Sequence, residues 1–136
     1  MPIYAHITSL GCPKNLVDSE IIAGVLIKNR IGIANSPRNA DIMIINSCAF
    51  IASARNESKL HIRSALNWRR KKDERKIVLC GCLNQWDPKA ENFEALREVD
   101  LRIGIDEIEK IAEKILSLYS KKKLDAAISK SPSYLQ

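Results

Sequence analysis

A doubly wound α/β fold, with a mostly parallel sheet of four to five strands and helices on both faces, is predicted by two features of this 136-residue chain. Short apolar, β-branched runs alternate with longer segments of helical periodicity, and that alternation implies right-handed βαβ crossovers. Three of the apolar runs also end in a turn that carries a cysteine, at Cys12, Cys48 and Cys82.

The elements follow in order. Ile3 to Ser9 reads as the first strand, closed by the turn Gly11-Cys12-Pro13. From about Asn15 to Asn29, Leu16, Val17, Ile21, Ile22, Val25 and Leu26 recur at helical spacing. Gly32 to Ala34 reads as a short strand, and Ser36-Pro37-Arg38-Asn39 as a turn. Asp41 to Ser47 is apolar on both faces, as a strand inside a parallel sheet should be. A long helix is expected over Ile51–Arg70, with Ala54, Leu60 or His61, Ala65 and Trp68 on its inner face. Ile77 to Cys80 forms the next strand, Pro88 to Arg97 another helix, and Leu101 to Ile105 the last strand. Asp106-Glu107-Ile108-Glu109 resembles a capping box. It opens a final helix whose stripe is Ile108, Ile111, Ala112, Ile115 and Leu116.

Composition narrows the function classes. The chain is 46% hydrophobic and 28% charged, which suits one globular domain with a real core. No apolar run approaches the length of roughly eighteen residues that a membrane span needs. Met1 to Cys12 has no basic n-region and is interrupted by His6 and Thr8, so it does not read as a lipoprotein signal. A cytoplasmic location is expected. The net charge of +6 is concentrated in Arg69–Lys76, which contributes +4, and Ser120–Gln136, which contributes +3. Such patches could track RNA phosphates, or could be a solvated helix end and a tail. RNA contact therefore stays open.

The three cysteines carry the chemistry. Ligands of open α/β sheets bind outside the carboxyl ends of the strands, where these turns would converge. Three thiolates near helix amino termini suit an iron–sulfur cluster. They also suit zinc, although zinc sites usually draw four ligands in closely spaced pairs. The spacings here are 36 and 34 residues, so only the fold could assemble the site. Widely separated cysteines in a chain of this size argue against a disulfide scaffold. Cys80, the last residue of an apolar strand, reads as a small buried hydrophobe. The alternative is a substitute or fourth ligand, since positions i and i+2 share a face in an extended segment. His6, His61, Trp68 and Trp86 read as packing or surface residues, and there is no glycine-rich phosphate loop or nucleophile elbow.

These motifs resemble a known family. Ser9-Leu10-Gly11-Cys12-Pro13-Lys14-Asn15 with Val17-Asp18-Ser19-Glu20 is similar to the amino-terminal domain of the radical-SAM methylthiotransferases. So are Asn46-Ser47-Cys48-Ala49-Phe50-Ile51 with Ala54, Glu57 and Ser58, and Gly81-Cys82-Leu83. The Leu-Gly-Cys-Pro-Lys-Asn form resembles the branch that methylthiolates an aspartate of a small-subunit ribosomal protein. The tRNA-modifying branch typically has Gly-Cys-Gln-Met-Asn there. The resemblance covers about Ile3 to Leu118. Ser47 and Ala49 stand where the family usually has Thr and Gly, Gln85-Trp86-Asp87 replaces Gln-Arg-Tyr, and Cys80 replaces a non-cysteine residue.

The resemblance implies that Cys12, Cys48 and Cys82 hold an auxiliary 4Fe–4S cluster with one iron open to an exogenous sulfur species, and that Cys80 stands outside it. It implies a flavodoxin-like cluster-binding domain over residues 1–119 and a basic linker over 120–136. S-adenosylmethionine and a second 4Fe–4S cluster would belong to a radical-SAM domain, whose Cys-x-x-x-Cys-x-x-Cys triplet this sequence does not contain. The chain is therefore expected to bind a cluster without turning over alone. Its partners would be the ribosomal-protein substrate and the radical-SAM and RNA- or protein-binding domains of the same polypeptide. Two alternatives stay open: the same domain from a tRNA adenosine methylthiotransferase, or a non-catalytic zinc- or redox-binding module.

Overall fold

A computed structural model describes residues 2–10, 13–47, 52–81 and 98–119. The elements are β1 (Tyr4–Ser9), α1 (Pro13–Lys28), β2 (Gly32–Ile33), a 3-10 turn (Pro37–Asn39) and β3 (Ile42–Ser47). They continue with α2 (Ala52–Arg70), β4 (Lys76–Gly81), β5 (Leu101–Arg102), a second 3-10 turn (Ile105–Lys110) and α3 (Ile111–Leu116). The sheet has five strands in the order β2-β1-β3-β4-β5, every pair parallel. This is the flavodoxin-like doubly wound order, in which strand succession reverses between β1 and β3. The helix expected at Pro88–Arg97 and the tail 120–136 lie outside the described residues.

The two faces of the sheet follow from the period-two alternation of side chains along a strand. Ile42, Ile44, Val78 and Cys80 point to one face and pack with Ile22 and Leu26 of α1 and Ile111, Ala112 and Ile115 of α3. Met43, Ile45, Ile77 and Leu79 point to the other and pack with Ile62, Ala65 and Leu66 of α2. All six residues of β3 are buried, which is why its sequence is apolar without alternation. At the amino edge two aspartates tie the strands. Asp41 accepts from the Tyr4 N–H at 3.0 Å, and Asp100 accepts from the Ile77 N–H and from Arg69, each at 2.7 Å.

Three expectations change. Leu60 is 62% exposed and His61 is exposed, so the inner face of α2 is carried by Ile62, Ala65 and Leu66. Ser58 stands on the same face at regular helical spacing and is as fully enclosed as its apolar neighbours. The apolar residues of α1 divide between two faces: Ile22 and Leu26 are buried, whereas Leu16, Val17 and Ile21 are largely exposed. Finally, β5 is only two residues long, and the final helix begins as a 3-10 turn. Its cap is Gly104, whose N–H donates to Glu107 at 3.2 Å while its carbonyl accepts from the Glu107 N–H at 2.9 Å.

The basic run Arg69–Lys76 is partly taken up by structure. Arg69 pairs with Asp100, and Arg75 stacks on Trp68 at 4.5 Å while donating to the Trp68 carbonyl at 2.8 Å. Trp68 in turn donates from its indole to the Pro37 carbonyl at 2.8 Å. Among the described residues no helix is long and apolar enough to cross a membrane.

Two glycines make opposite demands. Gly81 has φ +91°, and an added Cβ would meet Ser47 and Asn46 at under 3.0 Å. Gly24, inside α1, has nothing within 4 Å of a built Cβ. Gly81→Ala should destabilise the chain by about 3 kcal/mol in urea unfolding, from backbone strain plus overlap. Gly24→Ala should stabilise it by about 0.5–1 kcal/mol, the usual helix-interior gain. Equal effects of the two substitutions would contradict this backbone geometry.

Candidate functional site

Cys12, Cys48 and Cys82 lie outside the described residues, but the chain that leads into each is well placed. β1, β3 and β4 are neighbours in the sheet, and all run to the same edge. Ser9 pairs in register with Asn46, Asn46 with Cys80, and Ser47 with Gly81. Ser47 immediately precedes Cys48 and Gly81 immediately precedes Cys82, while Leu10 stands two residues before Cys12. The residues adjoining the three cysteines therefore form one row across the carboxyl edge.

That row is held by polar contacts that sequence reading did not anticipate. The Leu10 N–H donates to the Asn46 carbonyl at 3.0 Å, joining the ends of β1 and β3. The Asn46 amide donates to the Ser19 hydroxyl at 3.1 Å, which fixes α1 against β3. Ser47 donates its hydroxyl to the Cys80 carbonyl at 2.6 Å, joining β3 to β4. Asn46, Ser47 and Ser19 are all buried, and buried polar groups persist where they are hydrogen-bonded. The only sequence signal was local: an Asn-Ser pair and a Gly, each directly before a cysteine. Thr, usual in the resembling family, would keep the hydroxyl that Ser47 uses. Gly81 supplies the left-handed turn that lets β4 pass close to Ser47.

Cys80 is different in kind. Its side chain is fully buried in the core cluster beneath α1 and α3, with Sγ 3.6 Å from the Ile45 carbonyl. Burial pushes its thiol up to about 12, and the negative charge of Asp18 adds to the shift. A metal-ligating thiolate needs the opposite environment. His6 places Nδ1 3.1 Å from the Ala34 carbonyl, His61 is exposed on α2, and Trp86 lies outside the described residues. Among the described residues no three His, Cys, Asp or Glu side chains converge as a metal site.

Cys80 should stay unlabelled by iodoacetamide at pH 8 in the native chain and label on unfolding, read by peptide mass mapping. The fold favours its neutral thiol. That contribution to stability is complete below the unfolded value of 9.0 and is lost as pH rises through about 12. Cys80→Ala should therefore lose less stability than wild type across this alkaline window. Native labelling at Cys80 would contradict its burial.

Residues 4–104 match the model described as uncharacterized protein family UPF0004, a span that includes all five strands. The chain is 44% identical over 108 residues to the ribosomal protein uS12 methylthiotransferase RimO of Syntrophus aciditrophicus, a match covering 79% of this chain and 24% of that protein. The protein of the same name from Acetivibrio thermocellus is 45% identical over 116 residues, covering 85% of this chain and 25% of that protein. The one from Pelotomaculum thermopropionicum is 38% identical over 138 residues, covering 99% and 30%. The chain thus spans about a quarter of the length of these curated relatives. With a family model matched over every strand of the sheet, the chain belongs to the UPF0004 family.

Proposed function

We propose that this chain is the amino-terminal, cluster-binding domain of a radical-SAM methylthiotransferase, with Cys12, Cys48 and Cys82 as ligands of an auxiliary 4Fe–4S cluster. The observation that carries the reading is the row Leu10, Ser47 and Gly81 at the edge of three adjacent parallel strands, each leading into one of the cysteines. The donor set fits the group. Three soft thiolates suit iron–sulfur ligation, and the one thiol that the core holds protonated is Cys80. When bound, such a cluster supplies an iron without a protein ligand, at which a sulfur species can be held before transfer.

The chain's own residues have separate tasks in this reading. Ser47 and Asn46 fix the ends of β3 and β4 and the start of α1, so that the ligand turns need little reorganisation on loading. Gly81 keeps the turn before Cys82 free of a side chain. Cys80, packed inward, leaves the ligand count at three. The substrate inferred from the relatives' name is a small-subunit ribosomal protein, modified at an aspartate. The Leu10-Gly11-Cys12-Pro13-Lys14-Asn15 run favours this over the tRNA branch. S-adenosylmethionine and a second cluster would be supplied by further domains of the same polypeptide, in the cytoplasm. The 136 residues alone are expected to load a cluster without turnover.

Anaerobic reconstitution should give about four irons and four sulfides per chain, with the visible absorption of a cubane cluster. Cys12→Ser, Cys48→Ser and Cys82→Ser should each abolish it, whereas Cys80→Ala should retain it. Full retention in the Cys82 variant, or zinc at full occupancy with no iron after anaerobic purification, would overturn the assignment. The zinc result would favour a non-catalytic docking module.

A further inference from the structure

The side of α1 turned away from the sheet carries exposed apolar residues beside Glu20 and Lys28. Leu16 is 58% exposed, Val17 54% and Ile21 47%, and the open position of Gly24 lies on the same side one turn beyond Ile21. Exposed apolar residues scattered singly need no explanation, whereas Val17 and Ile21, one turn apart on one helix, form a small surface beside the cleft described next. Beside it, between α1 and the second 3-10 turn, lies an open cleft of about 320 Å³. Its described lining is Asp18, Ile21, Asp106, Ile108 and Glu109: three carboxylates, two isoleucines and no basic residue. This acidic cleft belongs to a chain whose net charge is +6.

Position adds to composition. α1 follows β1 from the carboxyl edge of the sheet, beginning at Pro13, and the second 3-10 turn leaves the same edge after β5. The cleft therefore opens beside the row that leads into the three cysteines.

We propose that this cleft and the exposed side of α1 dock a Lys/Arg-rich polypeptide segment that also carries apolar side chains. Its basic residues would face Asp18, Asp106 and Glu109, and its apolar residues would cover Ile21, Ile108 and Val17. Interfaces commonly combine an apolar centre with charge complementarity, which sets partner choice and encounter rate. A nucleic-acid backbone would be repelled by the same carboxylates. The proposal rests on the function proposed above for what the docked segment is, namely a protein substrate being presented to the cysteine edge.

The 136-residue chain, labelled for NMR, can be titrated with three probes. These are a synthetic Lys/Arg-rich peptide with interspersed leucines, the same peptide with Gln at every basic position, and an oligouridylate. The basic peptide should shift the amides of Asp18–Ile21 and Asp106–Glu109, and its affinity should fall as salt is raised. The Gln peptide, and the Asp106→Asn/Glu109→Gln variant with the basic peptide, should each bind at least about five-fold more weakly. Thermal melting should confirm that this exposed double variant is folded, and Val17→Gln offers a second, apolar lesion in the same surface. Absent shifts, shifts confined to Arg69–Lys76, oligouridylate binding in the cleft, or self-association through α1 would each overturn the proposal. Iron loading reads the cluster assignment separately: loading without peptide binding removes only the docking surface, and peptide binding without loading removes only the cluster.

Discussion

The arrangement depends on how closely the ends of β3 and β4 approach. At Gly81 the two backbones are so near that a single added carbon would overlap the Ser47 peptide and the Asn46 side chain. The Ser47 hydroxyl then bridges to the Cys80 carbonyl, and the Asn46 amide reaches across to Ser19 on α1. The ends of β1, β3 and β4 and the helix α1, far apart in sequence, are thereby tied through a small set of polar atoms. Buried polar atoms are costly to leave unpaired in a low-dielectric interior, which gives these hydrogen bonds their weight at the edge. Above this layer the chain turns into its cysteines. Below it the core is apolar on both faces of the sheet.

The two edges of the sheet are built from opposite chemistries. The amino edge is closed by Asp41 and Asp100, which cap strand N–H groups, with Arg69 balancing Asp100. Among the described residues the carboxyl edge is held by neutral amide and hydroxyl groups, and the row Leu10, Asn46, Ser47 and Gly81 carries no fixed charge. The carboxylate of Asp18 adds to the burial that keeps the inward-facing Cys80 thiol protonated. Burial alone is enough to hold the Cys80 thiol neutral.

Much of the fold was legible because its signals are local. Strands of Ile, Val and Leu bounded by turns, and cysteines directly after them, set the strand sequence, and the handedness of parallel crossovers constrained the rest. Ser47 before Cys48 and Gly81 before Cys82 were visible as turn residues. Their mutual contact was not, because it links positions 34 residues apart across a strand register. The same reason hid the Ser19–Asn46 hydrogen bond. Periodicity offered Leu60 or His61 for the inner face of α2, which Ser58, Ile62, Ala65 and Leu66 hold, because a buried serine leaves a gap in an apolar pattern. In α1, counting apolar residues could not separate the face that meets the sheet from the face that meets solvent. Ile22 and Leu26 serve the core, while Leu16, Val17 and Ile21 do not.

The central claim is that three cysteines, and not four, hold one polynuclear cluster at this edge. Mössbauer spectroscopy of the chain reconstituted anaerobically with isotopically enriched iron tests it most directly. The account predicts a cubane cluster in which three irons behave alike and one becomes distinct when an exogenous thiol is added. A mononuclear iron with four thiolate ligands would contradict it, because such a site would have to draw Cys80 out of the core.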